Sequence, residues 1–211
     1  MPDMPVQLVC FDLGGVLVRI ARNWEDACQR AGVEMPHTTA AHWERHRALM
    51  LRYETGEVDD AGYLKEAPDC VGGTVAPEQI LRVFDAWLLG MYPGAPELLD
   101  ELAARGVKTA CLSNTNARHW DLLSQRDAYR PLRRLDFRLA SHQLRVMKPD
   151  ERAYRRAEEA TGFWGEQVLF FDDKPENVAA ARAVNWKAEV VDRADDAVPQ
   201  IREFLAAHGV S

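Results

Sequence analysis

Five polar side chains fall where buried strands should end, a sixth joins them by position, and together they describe one kind of chemistry. Asp12 comes near the close of the apolar run Val6 to Leu13 (VQLVCFDL), just before Gly14 and Gly15. Ser113 and Asn114 follow the run Val107 to Leu112, and Asp172 with Asp173 follow Gln167 to Phe171 (QVLFF). Lys148 joins them by position, ahead of Pro149 and a helix start at Asp150. In open α/β sheets, ligands bind beyond the carboxyl ends of the strands, near the point where strand order reverses. Three carboxylates crowded at such an edge repel one another and are pushed toward protonation. A divalent cation removes that conflict, and an all-oxygen set with room for water suits Mg²⁺. No His or Cys cluster competes for zinc. A cation, an ammonium and hydroxyl or amide donors around a carboxylate make a cradle for a phosphoryl group, whose transfer mainly needs positioning and charge neutralisation.

Holding these groups together takes a sheet. Besides the three runs above, a weaker apolar run covers Phe137 to Ser141 and another covers Ala188 to Val191. Nearly continuous apolar runs are expected of strands buried on both faces. Helix-period segments lie between them at Pro96 to Arg105, Glu151 to Thr161, Pro175 to Trp186 and Asp195 to His208. The alternation predicts an α/β fold, a doubly wound parallel sheet with right-handed crossovers. One stretch interrupts it. Between Ile20 and Tyr92 the pattern gives no strand, only helices at Asn23 to Ala31, Thr38 to Tyr53, Asp59 to Glu66 and Pro77 to Met91. This reads as a small all-helical insertion, residues 19–92, folded over a core made of 1–18 and 93–211. Its hinges are expected near Val18 and at Tyr92-Pro93-Gly94.

Composition narrows the function classes. The 211 residues are 47% hydrophobic and 28% charged, with a net charge of −7. That charge disfavours nucleic acid as a partner, since phosphate-backbone binding needs a basic footprint. The one basic cluster, Arg130, Arg133, Arg134 and Arg138, alternates with Leu132, Leu135 and Phe137 and reads as a solvated face. No apolar stretch approaches the ~20 residues needed to span a bilayer. The four cysteines are scattered, and Cys10 and Cys111 sit inside apolar runs, which indicates buried thiols in a reducing compartment. A basic secretory leader is not seen in Met1 to Met4. A cytoplasmic protein is the expectation, its oligomeric state open.

Four segments carry a resemblance: FDLGGVL (Phe11 to Leu17), LSNTN (Leu112 to Asn116), MKP (Met147 to Pro149) and FFDDKPEN (Phe170 to Asn177). In this order they resemble the four motifs of the haloacid dehalogenase superfamily, with a helical cap inserted between the first two. The wording looks most like the small sugar-phosphate phosphatases. The resemblance implies a Mg²⁺-dependent phosphatase acting on a small phosphorylated metabolite, a sugar phosphate by preference. Asp12 would be the nucleophile that forms an aspartyl-phosphate, and Lys148 would neutralise charge. Ser113 and Asn114, with Gly14 and Gly15, would bind the phosphate. Asp12, Asp172, Asp173 and the Gly14 carbonyl would hold the metal, and Asn177 would orient the acidic pair or Lys148. The acidic pair sets the chain apart from true haloacid dehalogenases, which lack it.

The pattern departs from that family at one place. Its phosphatases usually carry a second aspartate two positions after the nucleophile, where this chain has Gly14. A general acid/base typically contributes ~10²–10⁴-fold, so its absence leaves three readings open. The substrate has a good leaving group, such as an anomeric sugar phosphate. The cap supplies the acid, with His42, His46 and Glu54 as candidates. Or the protein is a phosphonate hydrolase using Lys65 as a Schiff base, or a weakly catalytic phosphate-binding relative.

Overall fold

The computed structural model describes residues 4–210. Its centre is a five-stranded sheet in the order β5-β4-β1-β6-β7, every neighbouring pair parallel. The strands are β1 (Leu8–Phe11), β4 (Lys108–Ser113), β5 (Phe137–Ala140), β6 (Val168–Asp172) and β7 (Lys187–Val190). All three inner strands, β1, β4 and β6, are buried almost throughout, which is why their sequences read as continuous apolar runs.

Side chains alternate between the two faces of the sheet. Val9, Phe11, Cys111 and Phe171 pack on one side with Leu98, Leu99 and Leu102 of α5 (Ala95–Ala104). Trp120 and Leu123 of α6 (Ala117–Gln125) and Ile201 of α10 (Ala197–Ala207) complete that layer. Leu8, Cys10, Leu112 and Phe170 face the other side, against Tyr154 of α8 (Glu151–Thr161) and Val178 of α9 (Pro175–Ala183). A short α7 (Ser141–Leu144) follows β5 directly. All four cysteines are free and buried.

Between β1 and α5 the chain leaves the sheet. It forms α1 (Trp24–Ala31), α2 (Ala40–Glu54), α3 (Asp60–Cys70) and α4 (Pro77–Asp85). Their starts follow local chemistry: Asn23, Thr39 and Asp59 each accept a backbone N–H of the first turn, and Pro77 opens α4. The four helices share a separate apolar cluster that includes Leu49, Tyr53, Tyr63, Ile80 and Phe84.

Two expectations need correction here. The stretch is not free of strands: β2 (Val18–Ile20) and β3 (Leu88–Met91) pair antiparallel at its two ends. The segment expected as one helix over Pro77 to Met91 stops at Asp85, and its last residues form β3. The reason is tertiary. Ala21 donates to the Trp87 carbonyl (2.9 Å) and Tyr92 to that of Leu17 (3.0 Å), bonds available only once both chain ends lie side by side. The basic cluster is the solvated face expected, with Arg130, Arg133 and Arg134 exposed, and its side chains have partners there. Arg133 donates to the Ser124 and Gln125 carbonyls, Arg134 pairs with Asp100, and Arg138 lies over the Trp120 ring.

Candidate active site

The chain runs outward from β1 through β4 to β5, then returns to place β6 on the other side of β1. Strand order therefore reverses at β1, and the crevice beyond its carboxyl end is where a ligand is expected. Asp12 leaves β1 there, its N–H still bonded to the Phe171 carbonyl at 2.8 Å. Ser113 ends β4 and Asp172 ends β6, so three of the predicted site residues arrive on neighbouring strands.

Lys148 is the hub. Its ammonium is 1% exposed and lies 3.2 Å from Asp12 Oδ1 and 2.6 Å from Asp172 Oδ2. Burial alone would lower its pKa, but the Asp12 and Asp172 carboxylates outweigh that and hold it above its ordinary value. Asn114 fixes the lysine from behind. Its Nδ2 donates to the Lys148 carbonyl (2.8 Å), and its Oδ1 accepts the Lys148 N–H (2.9 Å). So Asn114 reaches the lysine backbone directly, a link no sequence spacing of 34 residues would show.

The acidic pair divides its work. Asp172 is fully buried and accepts from Lys148, from the Lys174 N–H at 2.9 Å, and from Asn177 Nδ2 at 3.0 Å on each oxygen. Asn177 in turn is held by α8: the Tyr154 hydroxyl donates to its carbonyl at 2.8 Å. Asp173 is less engaged, with Arg193 at 3.6 Å as its ion-pair partner. Burial raises its pKa, with Asp172 adding to the effect. Burial also pushes Asp12 up to about 6, against the pull of Lys148 and with Asp172 and Asp173 pushing the same way.

One oxygen from each of Asp12, Asp172 and Asp173 can be chosen so that all lie within 4.8 Å of one another. Three crowded, burial-strained carboxylates with hard oxygen donors fit a divalent cation such as Mg²⁺. Gly15 keeps that corner open: at φ 82 it is in the left-handed region, and a Cβ there would stand 2.8 Å from Asp173 Oδ2. Gly14 is shaped differently. A Cβ at that position would meet Ile20 Cδ1 at 3.3 Å, a tight contact with the far end of a flexible side chain.

A cavity of about 310 Å³ opens beside these groups. At one end it is lined by Gly14, Ser113, Asn114 and Thr115, and at the other by residues of the helical segment. Three polar groups on its wall come from outside the motifs: His46, Glu54 and His119. His46 bonds the Tyr63 hydroxyl (3.1 Å), and burial depresses its pKa to about 4. His119 lies 3.0 Å from the Phe84 carbonyl, with burial again taking the ring to about 4. Glu54 behaves oppositely, burial pushing it up to about 7, with Lys174 pulling down and Asp12 pushing up. Its main chain is tied to the core, for the Ser141 hydroxyl donates to the Glu54 carbonyl at 2.7 Å. Ser141 also accepts the Thr115 N–H at 2.9 Å. Sequence reasoning missed Ser141, Tyr154 and Arg193, whose partners are far away along the chain.

Of the other candidates, His42 is spent on capping α2 with Thr39. Lys65 is exposed on α3 and does not line the cavity.

Residues 6–185 match the family model of haloacid dehalogenase-like hydrolases. The chain belongs to that family. It is 35% identical over 206 residues to Phosphatase MT3486 of Mycobacterium tuberculosis (strain CDC 1551 / Oshkosh), covering 90% of this chain and 89% of that one. It is 27% identical over 182 residues to (S)-2-haloacid dehalogenase of Pseudomonas sp. (strain YL), covering 82% and 77%. Among solved structures, a HAD family enzyme of Bacteroides thetaiotaomicron superposes with a TM-score of 0.77 at 19% identity, over 94% of this chain and 99% of that one. The same enzyme in complex with magnesium and inorganic phosphate gives a TM-score of 0.74 at 20% identity, over 90% and 96%. The HAD-like chain is thus a hydrolase with the family's parallel-sheet core.

Proposed function

We propose that the chain is a Mg²⁺-dependent phosphatase that hydrolyses a small phosphorylated metabolite through an aspartyl-phosphate on Asp12. The observation that carries this is the Asp12 carboxylate at the end of the central strand, 3.2 Å from a buried ammonium and grouped with two further carboxylates. A carboxylate nucleophile alone would serve halide displacement too, but the two further carboxylates suit phosphoryl transfer, which needs its charge neutralised. In this reading residues 19–92 act as a cap over the site. A phosphatase of 35% identity supports it.

Asp12, Asp172, Asp173 and the Gly14 carbonyl would hold Mg²⁺, which supplies neutralisation of the crowded carboxylates and of phosphoryl oxygens. Ser113, Asn114 and the glycine turn would seat the phosphate beside Lys148. The Asp12 carboxylate attacks phosphorus as the bond to the leaving oxygen breaks. Glu54, on the cavity wall and protonated in part near pH 7, gives that oxygen its proton. The Glu54 carboxylate then takes a proton from the water that cleaves the acyl phosphate, which restores Asp12 and frees inorganic phosphate. His42 and His46 are poorer donors, the one engaged in a cap and the other held neutral by burial. The exposed Lys65 offers little to a Schiff-base phosphonate route.

The test is a panel of phosphate esters, a phosphonate and 2-chloropropionate, each with and without Mg²⁺, using wild type and Asp12→Asn. Metal-dependent phosphate release that disappears in Asp12→Asn supports the proposal. Release only from the phosphonate, or of chloride instead of phosphate, overturns it.

A further inference from the structure

The cavity is two-sided, and its far side is unlike a sugar site. Beyond the phosphate end, the wall is built from Trp24, Phe84, Trp87, Met50, Leu88 and Ile20. Trp24 and Phe84 stand edge to face, ring centroids 6.2 Å apart at 74°. A sugar needs several donors and acceptors directed at its hydroxyls, because polar groups buried without partners are costly. Here the polar side chains on that wall are few and largely committed. His46 is bonded to Tyr63 and His119 faces the Phe84 carbonyl. The exceptions are Glu54, which has the proton-transfer task proposed above, and the buried Trp24 indole N–H, which has no hydrogen-bond partner among the described residues. Pockets that are mostly apolar with a few convergent polar groups take ligands divided in the same way.

Size limits the ligand further. A dry apolar cavity of about 150 Å³ is enough to hold benzene. The 310 Å³ here is enough for one ring with a short linker in addition to the phosphate end.

Resting on the phosphatase reading of this site, we infer that the substrate is a phosphate monoester whose leaving group is apolar and ring-bearing, an arylalkyl or aryl phosphate, and not a sugar phosphate. The phosphate sits at Ser113 and Lys148, and the ring lies against Trp24, Phe84 and Trp87.

The experiment compares benzyl phosphate with glycerol 3-phosphate and glucose 6-phosphate, all primary-alcohol esters, so that leaving-group reactivity does not decide the ranking. Burying roughly 100 Å² of ring surface is worth on the order of 50-fold in kcat/KM. Benzyl phosphate is expected to lead by that factor. Equal rates, or a lead for either polar ester, overturn the inference while leaving the phosphatase reading intact. A second arm needs no turnover: calorimetric binding of benzylphosphonate and methylphosphonate to Asp12→Asn in the presence of Mg²⁺. Tighter binding of benzylphosphonate by a similar factor, with a negative heat-capacity change, supports the apolar site even if no ester is hydrolysed. Equal binding overturns it.

Discussion

Replacing Glu54 by glutamine should move stability and activity in opposite directions, and the structure gives the size of each. Burial takes Glu54 from 4.5 to about 7. The folded state therefore holds this proton between pH 4.5 and 7 while the unfolded chain has released it, so stability falls as pH rises through that window. At about 1.36 kcal/mol per pH unit, the full cost above pH 7 comes to about 3 kcal/mol. Glutamine keeps the shape without the charge. Glu54→Gln should therefore melt higher than wild type at pH 8, by up to about 3 kcal/mol, and match it near pH 4.5. Activity should show the reverse. A general acid contributes ~10²–10⁴-fold, but only where the leaving oxygen needs a proton. With an alkyl ester the variant should lose roughly 100-fold or more in kcat, and with p-nitrophenyl phosphate it should lose less than about tenfold. The assay is steady-state phosphate release on both esters, alongside thermal melts at pH 4.5 and 8. Equal loss on the two esters would refute the proton-transfer role. An unchanged melting difference between the two pH values would refute the burial argument beneath it.

Three further perturbations test the surrounding geometry. Gly15→Ala puts a Cβ 2.8 Å from Asp173 Oδ2 at a residue with φ 82, so Asp173 must move; the Mg²⁺ dissociation constant, measured by calorimetry, should rise by about tenfold or more, and an unchanged value would show that Asp173 is not a ligand. Lys148→Met leaves Asp12 and Asp172 facing each other without their buried counter-charge, which should cost about 3–5 kcal/mol of stability. Urea unfolding should recover part of that loss on adding Mg²⁺, and a loss under about 1 kcal/mol without metal would contradict the buried hub. His46 sits near pKa 4 when folded against 6.5 ordinarily, so its stability contribution is complete above pH 6.5 and is lost as pH falls toward 4. Wild type minus His46→Gln, followed by thermal melts, should fall by up to about 3 kcal/mol across that window, and a flat difference would mean that the ring is hydrated.

The core was legible because its inner strands are buried on both faces and its site residues stand at their ends. Phe11, Leu112 and Phe171 continue apolar runs to the sheet edge, and the next residues have nowhere to point but the crevice. What could not be read has a common physical origin in contacts made far along the chain. Val18–Ile20 is a strand only because Leu88–Met91 lies beside it, and three residues carry no period of their own. The same holds for Ser141, which serves Thr115 and Glu54 at sequence separations of 26 and 87. Helix α6 begins at a cap, Asn116, whose side chain accepts the His119 N–H. The character of the cavity was hidden for a different reason. Its wall draws on elements from Leu13 to Leu123, and each apolar side chain taken alone reads as ordinary core.

Gly14 stands where the first core strand gives way to the turn that leads into β2. Ile20, the last residue of β2, lies close to Gly14, and β2 pairs with β3. A carboxylate at position 14 would start against that isoleucine, whose Cδ1 would have to give by a few tenths of an ångström. In the proposed reading the proton donor comes from the opposite wall, provided that wall is fixed. It is: Ser141 bonds the Glu54 carbonyl, and Arg145 bonds that of Gly56, both reaching from the core turn after β5 to the end of α2. With the acid placed on Glu54, as proposed, the leaving-group side of the cavity is left mainly to apolar residues. A ring held against Trp24 and Phe84 would then meet one protonated carboxyl and little other polarity, which keeps that proton in place until the leaving oxygen takes it.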